Sequence, residues 1–254
     1  MTAPWAVAAV GREGQGRAER LARLVGRPLV EPHCRDFPFL LLVEEAGLAL
    51  QATGRGVPGP LRIDFTDGRM RRRLATTGVR SPLARALGLK SAVRPQVVDA
   101  TAGLGQDAFV LAALGCRPIL LERAMPLYLL LDDALERARQ APATGAIAQT
   151  MTLHRTDAVS WLEESTEAVE VVYLDPMYPA RKKQALSAKG MQLLQRLLGE
   201  ECDDGRALLA AALERARRRV VVKRPTRAGP LGGEPPNYSV SAPKTRYDVY
   251  LTAS

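Results

Sequence analysis

Histidine is nearly absent from this 254-residue chain, at two positions, and cysteine occurs three times, at Cys34, Cys116 and Cys202. No Cys-x-x-Cys pair exists, and His33, Cys34 and His154 lack the spacing of a ligand set, so no metal is expected. An odd, scattered set of thiols is no disulfide framework and fits a reducing compartment, so the expected location is cytoplasmic. No run of ~18 apolar residues is found, which argues against a membrane-spanning helix and a membrane partner. The opening MTAPWAVAAVGREGQGR has a short apolar stretch with no basic leader before it, which argues against a secretory signal. Internal repeats and low-complexity tracts are absent as well. Apolar residues make up 46%, enough for a core in one large domain, or in one domain plus a small one.

Positive charge is in excess. Thirty-six Lys and Arg stand against 27 acids, a net +9 with a pI near 9.9. Its distribution points to a polyanion rather than to solubility alone. Between Gly68 and Lys90 lie Arg69, Arg71, Arg72, Arg73, Arg80, Arg85 and Lys90 with no acid. Between Pro176 and Gly199 lie Arg181, Lys182, Lys183, Lys189 and Arg196, again with no acid, and a third cluster spans Arg217 to Arg227. Solvated helical faces usually mix signs, so such runs favour a nucleic-acid surface.

The pattern divides near residue 80. Before it, a short helix is expected over 17–26, strands over Phe39–Glu44, Leu48–Gln51 and Leu61–Phe65, and a turn at Thr66-Asp67-Gly68. Ser81-Pro82 opens a helix, with Ser at the N-cap and Pro at the first position. Beyond Pro95, strands alternate with helices. Strands are expected at Gln96–Asp99, Arg117–Leu121, Met151–His154, Glu170–Leu174 and Arg219–Lys223. Helices are expected at Gln106–Leu114 (with Gly115 as cap), Pro126–Gln140, Ala158–Glu163, Ala185–Leu198 and Ala207–Arg217. Tyr238–Ser241 and Tyr247–Leu251 close the chain as an antiparallel hairpin. Such alternation implies a parallel, doubly wound α/β sheet.

In these sheets ligands sit at the carboxyl ends of strands. The first strand ends at Asp99 and runs into Ala100-Thr101-Ala102-Gly103-Leu104-Gly105-Gln106-Asp107, where glycines allow a tight turn before a helix. Gly103, Gly105 and Ala108 satisfy G-x-G-x-x-A, a weak signal that any tight strand-to-helix turn could also give. Glu122, at the second strand end, is placed to accept from ribose hydroxyls or else simply faces solvent. Asp157, after Thr156, could accept from an adenine amine, cap the next helix, or both. Asp99 lies four residues before Gly103, close to the turn. A carboxylate there repels a pyrophosphate but suits a cationic sulfonium. At the fourth strand end, VYLDPMYP offers the Asp175 carboxylate and the Pro176 carbonyl as paired acceptors for an exocyclic amine, with Tyr178 to stack on its base. A base in a helix must be splayed out to reach such a pocket. The bland alternative is a strand-to-loop turn with an incidental tyrosine.

Asp175-Pro176-Met177-Tyr178 is similar to the [DNS]-P-P-[YF] motif of amino-group N-methyltransferases that use S-adenosylmethionine. More closely, VVDATAGLGQDAFVLAALGCR, LLER, VVYLDPMYP with its following Lys182-Lys183, and RVVVKRP resemble the RsmJ family of bacterial small-subunit rRNA guanine-N2 methyltransferases. The resemblance runs from about Phe65 to the C-terminus. It implies a class I, Rossmann-like methyltransferase domain over 81–254, preceded by a small α+β subdomain with a basic segment over 1–80. It also implies donor contacts at Gln106-Asp107, Glu122-Arg123, Thr156-Asp157 and Asp175. Gln106 stands where that family has Arg, and Thr156-Asp157 where it has Ser-Ser, while Met177 is the family's own residue. The expected reaction is direct methyl transfer to guanine N2 of 16S rRNA in the small ribosomal subunit. Arg71, Arg72, Arg73, Arg181, Lys182 and Lys183 are the candidates for holding phosphates. Three alternatives stay open: an adenine or cytosine N-methyltransferase, an NAD-dependent oxidoreductase, and a non-catalytic RNA-binding factor with a nucleotide pocket. Oligomeric state is not legible in the sequence.

Overall fold

The computed structural model describes residues 4–89, 94–176, 189–199 and 205–252. The chain divides into two compact units, one formed from Met1–Ile63, Leu129–Arg137 and Met177–Cys202, the other from Asp64–Tyr128, Ala138–Pro176 and Asp203–Ser254.

The first unit is built on a four-stranded sheet of β1 (Trp5–Ala9), β2 (Leu29–Val30), β3 (Phe39–Glu44) and β4 (Gly47–Ala52), in the order β2-β1-β3-β4. The apolar stretch near the N-terminus is thus a core strand: Trp5, Ala6, Val7 and Ala8 are buried, and β1 pairs in parallel with β2 and β3. Helix α1 (Gln15–Val25) crosses between β1 and β2, burying Ala18 and Ala22 four residues apart, and stops at left-handed Gly26. Arg27 lies 5.1 Å from the centre of the Trp5 ring, a cation–π contact. A carboxylate from the middle of α5 (Met125–Gln140) belongs to this unit. Asp133 is buried and accepts from Arg17, from Arg137 at 3.0 Å and from the Leu48 N–H at 3.0 Å. The strand expected over Leu61–Phe65 is reduced to one bridge, Leu61 to Leu50. Past it, the Asp64 carboxylate accepts the Thr66 N–H at 2.8 Å, a local turn that competes with a ladder.

The second unit opens with α2 (Gly68–Thr76) and α3 (Pro82–Ala86). Asp67 caps α2 by accepting the Met70 N–H at 2.7 Å, so the basic run read as following a turn is helical. Ser81 caps α3 with Pro82 at its first turn, as the sequence predicts. Seven strands follow, interleaved with helices: β5 (Gln96–Asp99), α4 (Gln106–Ala113), β6 (Arg117–Leu121), then α5, α6 (Gly145–Ala148), β7 (Thr152–His154), α7 (Ala158–Glu164), β8 (Val171–Leu174), α8 (Lys189–Leu198), α9 (Arg206–Arg215), β9 (Arg219–Pro225), β10 (Tyr238–Ser241) and β11 (Thr245–Leu251). Of these helices, α8 lies in the first unit, and the expected start of its helix at 185–188 lies outside the described residues. The sheet order is β10-β11-β9-β8-β5-β6-β7. Neighbours from β9 to β7 are parallel, whereas β11 is antiparallel to both β9 and β10.

Strands buried on both faces read as near-continuous apolar runs, and Val97-Val98, Val171 to Leu174 and Val220 to Val222 are all buried. Val98, Ile119, Val172, Leu174, Val220 and Val222 pack with Leu162 of α7 and with Leu209 and Ala212 of α9. Each such side chain contributes about 1.5–3 kcal/mol by leaving water. In the same unit Phe65 stacks on Phe109 of α4, with ring centres 4.4 Å apart. The chain winds outward from β5 through β6 to β7 and later through β8 to β9. The order therefore reverses between β5 and β8, and in sheets of this kind ligands bind outside the strands' carboxyl ends at such a reversal.

Candidate active site

Three segments meet at this switch point. Asp99 ends β5 and is paired in register with Tyr173 of β8. Two residues beyond β5, the Thr101 hydroxyl accepts the Asp175 N–H at 2.6 Å, so the two strand ends are tied together where both leave the sheet. On the other side of β8, Leu174 is in register with Val222 of β9, which places Lys223 beside Asp175.

The turn after Asp99 depends on its glycines. Gly103 and Gly105 have φ of 51° and 66°, left-handed values that cost a residue with a Cβ. Gly105 is the N-cap of α4, and its N–H donates to Ala102 at 2.7 Å. Glu122, just past β6, fastens this turn to the second strand. It is buried and accepts the Gly103 N–H at 3.2 Å and the Ala124 N–H at 2.7 Å. Burial raises its pKa, while the backbone donors and Arg123 oppose the rise. The ladder continues to the next strand end, where the Thr156 N–H donates to the Glu122 carbonyl at 3.2 Å. Asp157 is the N-cap of α7, accepting from Val159 and Ser160 N–H at 3.0 and 3.2 Å, with Arg123 3.9 Å away. Of the two roles open to Asp157 in the sequence, the capping role is thus formed.

Beneath the turn lies a compact charge network. Asp107, in the first turn of α4, has only 8% of its surface exposed. Its carboxylate accepts from Arg73 of α2, from the Tyr173 hydroxyl at 2.7 Å and from Lys223 Nζ at 2.8 Å. Burial pushes its pKa up, but Lys223 and Arg73 outweigh that, and the net shift is downward, so Asp107 is an anion. Lys223 Nζ also donates to Asp175 Oδ2 at 2.8 Å, bridging the two carboxylates. Burial lowers the lysine's affinity for its proton, and Asp107 and Asp175 more than restore it. Asp175 is more open, with 39% of its side chain exposed. Burial raises its pKa and Lys223 opposes that, leaving a net rise. Asp99 is the most enclosed of the three acids, 2% exposed, and accepts the Thr101 N–H at 3.1 Å and, more weakly, the Thr101 hydroxyl at 3.5 Å. Burial first, then the neighbouring Asp107 and Asp175, lift its pKa to about 8. With Asp99 protonated, two carboxylates face two cations and the network is neutral.

The residues singled out in the sequence are thus distributed unevenly. Asp99, Gly103, Gly105, Asp107, Asp175 and Pro176 gather around the switch point, and Glu122, Arg123, Thr156 and Asp157 line the neighbouring strand ends. Gln106 accepts from Arg73 at 3.3 Å at the exposed start of α4. Arg71 and Arg72 are exposed on α2. Arg73, grouped with them from the sequence as a phosphate contact, instead points to Gln106 and Asp107 and is committed to the network. Tyr178, Arg181, Lys182 and Lys183 lie outside the described residues. Thr101, Tyr173 and Lys223 had not been singled out. The one local sign of Lys223 is that it directly follows the buried run Val220–Val222 in RVVVKRP.

A donor-binding cleft of the S-adenosylmethionine type needs a backbone turn that a ligand can approach closely, with acids near the donor's cationic end. The left-handed glycines beside the enclosed Asp99 fit both needs. Together with a sheet that turns antiparallel only at β11, they define a class I S-adenosylmethionine-dependent methyltransferase. A family model described as "Putative SAM-dependent methyltransferase" matches residues 22–252. The chain is 48% identical over 240 residues to a ribosomal RNA small subunit methyltransferase J from Thioalkalivibrio sulfidiphilus, covering 93% of each. It is 48% identical over 219 residues to the protein of that name from Marinobacter nauticus, covering 85% of this chain and 78% of that one. A solved SAM-dependent methyltransferase from Neisseria gonorrhoeae superposes with a TM-score of 0.72 at 31% identity, covering 96% of this chain and 95% of that one. The chain belongs to the ribosomal RNA small subunit methyltransferase J family. The family match begins at residue 22, well before Phe65, where the motif resemblance starts, and so takes in β2, β3 and β4 of the first unit.

Proposed function

We propose that this enzyme transfers a methyl group from S-adenosylmethionine to the exocyclic N2 of a guanine in 16S rRNA of the small ribosomal subunit. The observation that carries the reading is Asp175-Pro176, leaving β8 at the switch point beside the glycine turn, with Asp175 held by Thr101 and Lys223. Asp99, Gly103, Gly105, Gln106, Asp107, Glu122, Arg123, Thr156 and Asp157 form the donor side in this reading. Some of them, Asp107 above all, act by shaping the cleft rather than by touching the ligand. Bound S-adenosylmethionine supplies an electrophilic methyl on a cationic sulfur.

The chain's own residues do the rest. The Asp175 carboxylate and the Pro176 carbonyl accept the two N–H donors of the amine and aim its lone pair out of the ring plane, and Tyr178 stacks on the splayed base. The transition state moves positive charge toward nitrogen, and the Asp175 carboxylate stabilises it there. In-line placement supplies much of the remaining acceleration. The methylated nitrogen is acidic and gives its proton to water, so Asp175 need not be a strong base. Arg71 and Arg72, with Arg181, Lys182 and Lys183, hold rRNA phosphates. Residues 81–254 carry the chemistry, in the cytoplasm.

The test is transfer of a labelled methyl group to small-subunit particles, naked 16S rRNA and duplex DNA, with Asp175→Ala as control. Label in the rRNA that vanishes in the variant is the expected result. Label in DNA alone overturns the substrate. No label in any nucleic acid with donor binding intact overturns the enzymatic reading in favour of a binding factor.

A further inference from the structure

Lys223, the residue of β9 just past its pairing with β8, bridges two acids that have different surroundings. Asp107 is fixed by the start of α4, by Tyr173 and by Arg73, all within the same unit. Asp175 follows the last residue of β8, and beyond its backbone tie to Thr101 its side chain is 39% exposed. An exposed carboxylate on a single χ1 axis samples several rotamers. A single ammonium 2.8 Å from both carboxylates ties the more exposed one to the enclosed one.

We propose that Lys223 is a positioning residue for methyl transfer, holding the Asp175 carboxylate against the Asp107 anchor in the orientation that receives the substrate amine. This rests on the assignment of Asp175 to the amine pocket. It adds a residue from a different strand and gives a purpose to the buried contacts of Asp107 behind Asp175. Two consequences follow from charge alone. Lys223 lowers the pKa of Asp175 through charge and hydrogen bonding, and Asp107 raises it through space. Removing Lys223 and removing the charge of Asp107 therefore move the titration of Asp175 in opposite directions. Arg73, Tyr173, Asp99 and Tyr247 are the other titratable groups facing this cluster, and all remain in both variants.

The experiment is a pH profile of kcat between pH 5 and 9 for wild type, Lys223→Met, Lys223→Arg and Asp107→Asn. Donor affinity is measured by calorimetry, and assays run at a temperature where circular dichroism shows each variant folded. Lys223→Met is expected to lower kcat ~100-fold, the scale for loss of a fixed geometry. Its acid limb moves up by about one to three pH units, the scale for loss of an adjacent opposite charge. Lys223→Arg restores the limb because it keeps the cation, but recovers kcat only in part because a planar fork replaces a point donor. Asp107→Asn moves the limb down. Structural damage alone lowers kcat without shifting limbs in opposite senses. Superimposable limbs in Lys223→Met and wild type overturn the proposal. If Lys223→Met does not fold, a Lys223→Arg limb displaced upward, or an Asp107→Asn limb that is not displaced downward, overturns it equally. An Asp175→Asn enzyme with wild-type kcat defeats the assignment of Asp175 itself, which is a separate failure.

Discussion

Replacing Asp107 by Asn removes the negative centre of the buried network while nearly preserving volume. In the native protein its carboxylate receives Arg73, Tyr173 and Lys223. Deleting one partner of a buried ion pair costs ~3–5 kcal/mol because the other charge is left uncompensated. Two features reduce that figure here. Lys223 retains Asp175 at 2.8 Å, and the Arg73 side chain is 34% exposed and can turn to water. The expected loss is then about 2–3 kcal/mol. For a chain of this size about 1 kcal/mol corresponds to ~2–4 °C, so the Tm falls by roughly 5–10 °C. Tyr173→Phe leaves both cations on Asp107 and should lose only ~1 kcal/mol. The dependence on pH follows from the lowered pKa of Asp107. The stabilisation is fully present above the carboxylate's unfolded value near 4, and it is lost as pH falls through the lower folded value. Thermal melts of wild type, Asp107→Asn and Tyr173→Phe at pH 7 and in the acid range measure all of this. An Asp107→Asn protein within about 0.5 kcal/mol of wild type at pH 7 would refute the claim that the network is a buried, charge-balanced anchor.

Three further outcomes are expected. Asp99 has its pKa raised to about 8 by burial, so it is protonated at neutral pH and ionises when a cationic donor binds. Donor affinity should rise with pH up to about 8 and level off above it, with proton release detectable by calorimetry in buffers of different ionisation heat; proton uptake would contradict the assignment. Glu122→Gln replaces an acceptor of two backbone N–H groups by an amide that presents its own donor, costing ~1–3 kcal/mol and loosening the glycine turn. Donor Kd should rise while the wild-type pH limbs stay in place, and an unchanged Kd would show that the turn does not need Glu122. Arg71→Ala with Arg72→Ala should weaken rRNA binding and flatten its log–log salt slope by roughly 1.4, the release from two single-strand phosphates. Donor affinity should not change, and an unaltered salt slope would remove α2 from the RNA surface.

Most of the second unit was legible because its strands are buried on both faces and so read as apolar runs that stop at acids. Asp99, Glu122 and Asp175 each end or follow such a run, and the switch point lies between the strands that Asp99 and Asp175 close. The strand order was not legible, since pairing between β8 and β5 depends on long-range contacts that no local pattern carries. Trp5–Ala9 was not read as a strand either, since five consecutive apolar residues carry no alternation that separates strand from helix. Arg73 illustrates a different loss. Within Arg69-Met70-Arg71-Arg72-Arg73 every arginine looks like a surface charge until the segment is known to be helical. Met70, buried on the same face three residues earlier, then turns Arg73 inward. Lys223 was hidden by its neighbours, because a lysine inside a basic cluster reads as one more surface cation. Leu61–Phe65 was overread, since two prolines shortly before it and an Asx turn after it leave one bridge where a strand was expected.

The central claim is that Asp175-Pro176 receives a guanine amine from small-subunit rRNA. It is tested most directly by digesting 16S rRNA to nucleosides after reaction with the purified enzyme and S-adenosylmethionine, and by reading the methylated product by mass spectrometry. N2-methylguanosine that appears with the wild type and is lost with Asp175→Ala is the predicted result. Methylation on adenine N6, cytosine N4 or a ring carbon would contradict it.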